Sequence, residues 1–188
     1  MYNVRLANSD FTRQFMSYLY GCPFEGYVYP PVDTDIFRPA PANHVEGFAI
    51  AIARNTNEPG FRLLERIATK VPLKVVGGAT VDGAQNLGVL SDTELASEMG
   101  RAAVLVSPSV PEFYGYSVAE ALACGTPVVA YDCCGPAEIL RKSGVGWLVL
   151  TQHDFESRVV QACRSPVEQS VRVAARKLLR QSVVADHR

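Results

Sequence analysis

Apolar residues recur along this chain in two rhythms. Ala103–Val106 is an unbroken run, and apolar-rich runs stand at Phe48–Ala53, Leu73–Val76, Thr126–Ala130 and Gly146–Leu150. Runs of four to six residues, closed off by glycine or polar residues, predict strands buried on both faces. Asn86–Leu90 predicts a further strand. Between the runs, apolar positions follow helical spacing, as at Phe61, Leu64, Ile67 and Ala68. Ser91 with Glu94 fits a capping box that opens a helix to about Met99. Ser117 with Glu120 repeats that pattern and predicts a helix starting at Ser117, with Gly125 as its stop. Further helices are predicted over 136–142, 154–164 and 167–181, the last with Val171, Ala174, Ala175 and Leu178 on one face. Strands alternating with helices give an α/β class, a doubly wound, Rossmann-like parallel sheet covered on both faces.

The first forty residues read differently. Val4–Ala7 predicts a short strand, and Asn8-Ser9-Asp10 caps a helix to about Leu19 with Gly21 as its stop. Phe11, Phe15, Met16 and Leu19 on that helix need cover, from this domain or from a partner. Tyr27–Val32 is extended, because residues before proline avoid the helical region. Pro39–Gly47 has the composition of a linker, and residues 182–188 that of a frayed end. The expected division is 1–38 as a remnant of a preceding domain plus a hinge, 39–165 as the main domain, and 166–188 as a terminal helix and tail.

Composition narrows the function. At 188 residues, 48% hydrophobic and 20% charged, the chain has the make-up of one globular domain with a full core. A net charge of -1 gives no reason to expect nucleic acid. No apolar run is long enough to span a membrane, and the N-terminus does not read as a signal peptide. Five cysteines without metal-ligand spacing suggest reduced thiols and a cytoplasmic location. His44, His153 and His187 do not read as catalytic or metal-binding, and Trp147 reads as core.

The candidate chemistry lies in Val106–Tyr131: a buried strand, a loop with prolines and a glycine, a helix, and a second strand. A helix opening from such a loop at the carboxyl end of a parallel strand offers free N–H groups to an anion. Glu112 in the loop and Glu120 in the helix would flank that anion. Carboxylates beside a phosphate repel it, so sugar hydroxyls are their natural neutral partners.

Glu112 and Glu120, with seven residues between them, Phe113-Tyr114-Gly115 inside the interval and Gly125-Thr126-Pro127 at its exit resemble the E-x7-E signature of retaining, GT-B-fold glycosyltransferases. That family, the glycosyl transferases group 1, includes glycogen synthases, sucrose synthases and bacterial mannosyl- and glucosyltransferases. Residues 3–150 carry the likeness, which also includes Tyr29–Pro39, Ala51–Arg54 and Lys74–Gly78. The resemblance implies the donor-binding half of a two-domain enzyme that transfers a hexose from a UDP-, GDP- or ADP-sugar to a sugar or lipid acceptor. It implies no cofactor and no divalent metal, since positive groups hold the diphosphate. The acceptor domain would be a separate or missing amino-terminal part.

By the same resemblance, Glu112 contacts the donor sugar and Glu120 the ribose. Backbone N–H groups of Phe113, Tyr114, Gly115, Tyr116 and Ser117 face the diphosphate, and Arg54 clamps it. Gly77, Gly78, Val89 and Leu90 lie near base and ribose, and Glu138 near the donor. Each has a plainer reading: a solvated loop acid for Glu112, a helix cap for Glu120, a tight turn at Gly115, strand ends at 77–78 and 89–90, a helix-dipole partner for Glu138. The chain departs from the pattern at Pro59, where members carry a lysine, so a nucleotide-sugar binding module without turnover is an alternative. An interaction protein built on a relic fold, using the first helix, is another.

Overall fold

The computed structural model describes residues 4–39 and 45–166. The expected terminal helix and tail, His44, His187 and most of the linker lie outside them. A small two-stranded parallel sheet comes first, β1 (Leu6–Ala7) with β2 (Gly26–Tyr27), joined by α1 (Asp10–Tyr20). The main sheet follows: β3 (Ala49–Ile52), α2 (Phe61–Ala68), β4 (Leu73–Val76), β5 (Gln85–Gly88), α3 (Asp92–Arg101), β6 (Val104–Ser107), α4 (Tyr116–Ala123), β7 (Val128–Tyr131), α5 (Cys134–Ser143), β8 (Trp147–Val149) and α6 (Gln152–Arg164).

All neighbouring strands of the main sheet are parallel, in the order β5-β4-β3-β6-β7-β8. Alternate residues serve opposite cores. Ile50, Leu105 and Val128 face α3, α4 and α5, while Ala51, Val106 and Val129 face α2 and α6. The apolar runs are continuous because both faces are buried. Buried Glu156 of α6 pairs with Arg66, at 2.7 Å, and with Lys70, tying α6 to α2. The order reverses between β3 and β6, and in such sheets ligands bind outside the carboxyl ends of the strands at that switch point.

Several boundaries differ from expectation for physical reasons. The α3 capping box forms with both bonds made. The one expected at Ser117 does not. Gly115, in the left-handed region at φ 96°, takes the cap position, α4 begins at Tyr116, and no side chain caps it. Ser117 is thereby inside the helix, and Glu120 is released from any capping duty. β5 spans Gln85–Gly88 instead of Asn86–Leu90, because Gly88 turns left-handed at φ 69° and ends the strand. α5 begins two residues before Pro136, which is tolerated in a first turn.

The first helix is docked on the main domain. Its cap Ser9 and Thr12 both hydrogen-bond the Phe113 carbonyl through their hydroxyls, at 2.8 and 3.1 Å. Phe11 and Phe15 pack on the Phe113 ring at centroid distances of 6.2 and 5.6 Å. The far end of the helix keeps Tyr18, Leu19 and Tyr20 exposed.

Candidate functional site

A cavity of about 410 Å³ opens at the switch point between β3 and β6. Its walls include Arg54 and Glu58 from the β3 exit, Ser107–Ser109 from the β6 exit, and Glu112, Tyr116, Ser117 and Glu120. The two glutamates singled out by spacing thus face one space, as does the arginine far upstream of them. The side chains of Glu112 and Glu120 make no hydrogen bond or ion pair with any described residue. Their acceptor oxygens are available to a ligand, and carboxylates without a protein partner beside a cavity match donors such as hydroxyls.

Burial, followed by the nearby Asp92 carboxylate, raises the Glu120 pKa above the ordinary value. A raised carboxyl pKa means that the native state holds its proton to higher pH than the unfolded chain does. Stability from this group is therefore fullest at low pH and is lost as pH rises through the native pKa. Glu120→Gln is expected to melt above the parent at neutral pH, with the gap closing as pH falls into the ordinary carboxylate range. Thermal melts across that range check this; identical melting at neutral pH would contradict it.

The amino end of α4 supplies donors. Val118 and Ala119 give their N–H groups to the Gly115 carbonyl, at 3.0 and 3.2 Å. Those of Tyr116 and Ser117, a half-turn earlier, meet no acceptor among the described residues and start the helix beside the cavity. Gly115 matters sterically: a Cβ there would lie 3.2 Å from Pro136, on backbone already at positive φ.

Arg54 has a partner that spacing did not reveal. Its Nε donates to Glu58 Oε1 at 3.0 Å, and its backbone N–H donates to Glu58 Oε2 at 3.2 Å. The arginine side chain is 81% exposed and the glutamate 16%. The signal was the i,i+4 interval after a strand, which is common and carries little weight alone.

Other expected residues lie elsewhere. Phe113 turns its ring to α1, and Tyr114 is buried with its hydroxyl donating to the Pro30 carbonyl at 3.3 Å. Gly77 and Gly78 pack against the backbone of Ala53 and Arg54, and Val89 is exposed. Leu90 packs at the edge of the core on the α3–α5 side. None of these lines the cavity. Glu138 does not line it either. Its carboxylate accepts from the backbone N–H groups of Asp10 and Phe11, at 3.1 and 3.0 Å, and from the Tyr29 hydroxyl. It caps α1 across the fold instead of its own helix. The buried Tyr29 hydroxyl is held far above its usual pKa by burial first and by Glu138 second.

Among the described residues no three His, Cys, Asp or Glu side chains gather to hold a metal ion. An Asp-x-Asp pair, Asp33 and Asp35, sits in the hinge, where Asp33 Oδ1 accepts the N–H groups of Asp35 and Ile36 as a local turn. Trp147 is half-buried at the α6 side, with Arg158 over its ring at 5.7 Å. His153 is exposed in the first turn of α6. No helix of the described residues is long and apolar enough to cross a membrane.

Residues 60–168 match the family described as glycosyl transferases group 1. A phosphatidyl-myo-inositol mannosyltransferase of Mycobacterium leprae is 37% identical over 78 residues, 41% of this chain and 21% of that protein. Anabaena Alr3699/HepE, solved in complex with UDP-glucose, superposes with a TM-score of 0.78 at 19% identity, over 97% of this chain and 60% of its own. Sucrose-phosphate synthase from Thermosynechococcus elongatus gives 0.77 at 18% identity, over 95% and 53%. The likeness to these structures is one of fold, the Rossmann-like half of a GT-B architecture. The chain spans about a fifth of the mannosyltransferase and little more than half of each of these two structures.

Proposed function

The chain belongs to the glycosyl transferases group 1, and from that premise we propose that it is the donor-binding half of a retaining glycosyltransferase, moving a hexose from a nucleotide diphosphate sugar to a sugar or lipid acceptor. The observation that carries this reading is the meeting of Glu112, Glu120, Arg54 and the amino end of α4 around one cavity at the switch point of the sheet. Glu120 accepts hydrogen bonds from the ribose and Glu112 from the sugar. The Arg54 guanidinium and the unclaimed N–H groups of Tyr116 and Ser117 stabilise charge on the departing diphosphate, and that stabilisation grows as the bond breaks. A second domain, joined covalently or carried by a partner, brings the acceptor. None of the five cysteines is in a disulfide, in accord with a reducing compartment such as the cytoplasm.

UDP is the first nucleotide to test, since HepE was solved with UDP-glucose. Calorimetric titration with UDP, GDP and ADP, then with the matching sugars, is expected to give saturable binding of one base. Glu120→Ala removes a charged acceptor, and such bonds contribute about 1.5–3 kcal/mol, so binding weakens roughly ten- to hundredfold. Arg54→Ala weakens the nucleotide and leaves the nucleoside unchanged. Binding indifferent to both substitutions would remove the reading.

A second reading, donor binding without turnover, is favoured by Pro59. The proline stands where the resembled enzymes carry a lysine, leaving Arg54 as the only basic residue on the cavity wall among the described residues. Joining an amino-terminal domain and assaying transfer separates the two.

A further inference from the structure

Among the described residues, four acidic or basic side chains line the cavity: Arg54, Glu58, Glu112 and Glu120. Three are acids, and one of them is held on the sole base. The two members of that pair are fixed to very different degrees. Glu58 sits in a turn whose N–H donates to the Asn55 carbonyl at 3.5 Å and whose carbonyl accepts from Phe61 at 3.1 Å. Pro59 follows, with its backbone angle set by the ring. Gly60 then presses on the β6 exit so closely that a Cβ would lie 2.8 Å from Pro108. The acid is largely covered, whereas Arg54 is mostly exposed on a flexible stem. A phosphate can draw the guanidinium to itself, since an exposed ion pair holds it weakly. It cannot expel the carboxylate, which also accepts the Arg54 backbone N–H.

Resting on the donor-site reading above, we propose that Glu58 is a specificity-determining residue of this site, a fixed negative group that lowers the preference for highly charged phosphate groups. It penalises a diphosphate far more than the neutral ribose and sugar that Glu112 and Glu120 receive. The wild-type site therefore discriminates weakly between a nucleoside diphosphate and its nucleoside.

The test is titration of uridine and UDP into the chain, Glu58→Gln, Arg54→Ala and the double variant, with GDP and ADP and their nucleosides if UDP fails. Glu58→Gln keeps the size and one acceptor oxygen for the Arg54 N–H groups, and drops the charge. It is expected to tighten the diphosphate about tenfold while leaving the nucleoside within about twofold, an advantage that shrinks as salt is added. The gain persists in the Arg54→Ala background, because the acid acts on the phosphate directly. Diphosphate binding that is unchanged or weaker in Glu58→Gln overturns the proposal and makes Glu58 a positioning partner of Arg54. A gain that vanishes in the double variant overturns it too. Nucleoside binding weakened roughly ten- to hundredfold in Glu120→Ala shows that the donor-site reading stands even if Glu58→Gln does nothing. Failure of every nucleoside and nucleotide to bind any variant removes both.

Discussion

Gly77→Ala lowers the melting temperature by roughly 6–20 °C. Gly77 lies just past β4 at φ 122°, a region that residues with a Cβ rarely enter. A Cβ there would stand 2.2 Å from the Ala53 carbonyl oxygen and 2.9 Å from its carbon. Those are backbone atoms of the central strand's exit, and their positions are fixed by bonds on both sides. The Ala53 N–H donates to Val76 at 2.9 Å, and its carbonyl accepts from Ala79 at 3.1 Å. Strain and collision together belong with the large mutational effects, about 3–5 kcal/mol, and a domain of this size shifts by about 2–4 °C per kcal/mol. Gly88→Ala is the internal control. It too has positive φ, but nothing lies within 4 Å of its added Cβ, so about 1 kcal/mol is expected from the backbone alone. Differential scanning calorimetry of both checks the pair. Equal losses would mean that the β3 and β4 exits yield, and that steric contact is not what requires glycine at 77.

Glu138→Ala is expected to cost about 2–4 kcal/mol and to loosen α1 selectively. Its carboxylate satisfies two N–H groups that a helix start leaves open, at Asp10 and Phe11, together with the buried hydroxyl of Tyr29. Removing the acceptor strands two part-buried N–H groups and one buried hydroxyl, and a stranded buried group costs about 1–3 kcal/mol. A negative charge at a helix amino end adds its own stabilisation. Hydrogen exchange should accelerate in residues 10–20 and not in β3 or β6, while the whole domain melts lower. Glu138→Gln, which retains an acceptor oxygen, falls between. Uniform acceleration, or none, would show that the carboxylate does not hold the helix.

What could be read from the sequence, and what could not, follows the range of the interactions. The central strands were legible because burial on both faces writes a largely apolar run, which Lys74 interrupts in β4. The α3 start was legible because its two capping bonds join residues three apart. The same Ser-x-x-Glu spacing misled at Ser117, since a left-handed glycine two residues earlier moved the cap and left the identical letters doing something else. Glu112 and Glu120, paired by spacing, line one cavity because the loop and helix turn between them are local. The cover on α1 was illegible. Its contacts with Glu138 and Phe113 span more than a hundred residues, and no periodicity records them. Phe113 was picked for its place in a motif, but its carbonyl and ring belong to the docking of α1.

The two consecutive carbonyls of the acid-bearing loop point to different anchors. Phe113 is gripped by the hydroxyls of Ser9 and Thr12, and Glu112 accepts the Gly135 N–H at 2.9 Å. The loop is thus clamped from two distant parts of the chain before any ligand arrives. Its conformational freedom is surrendered on folding, so ordering it subtracts little from affinity when a ligand binds. A protein cut to begin after residue 21 would keep every side chain named in the cavity. It would still bind more weakly, through an entropic penalty that the intact chain does not carry.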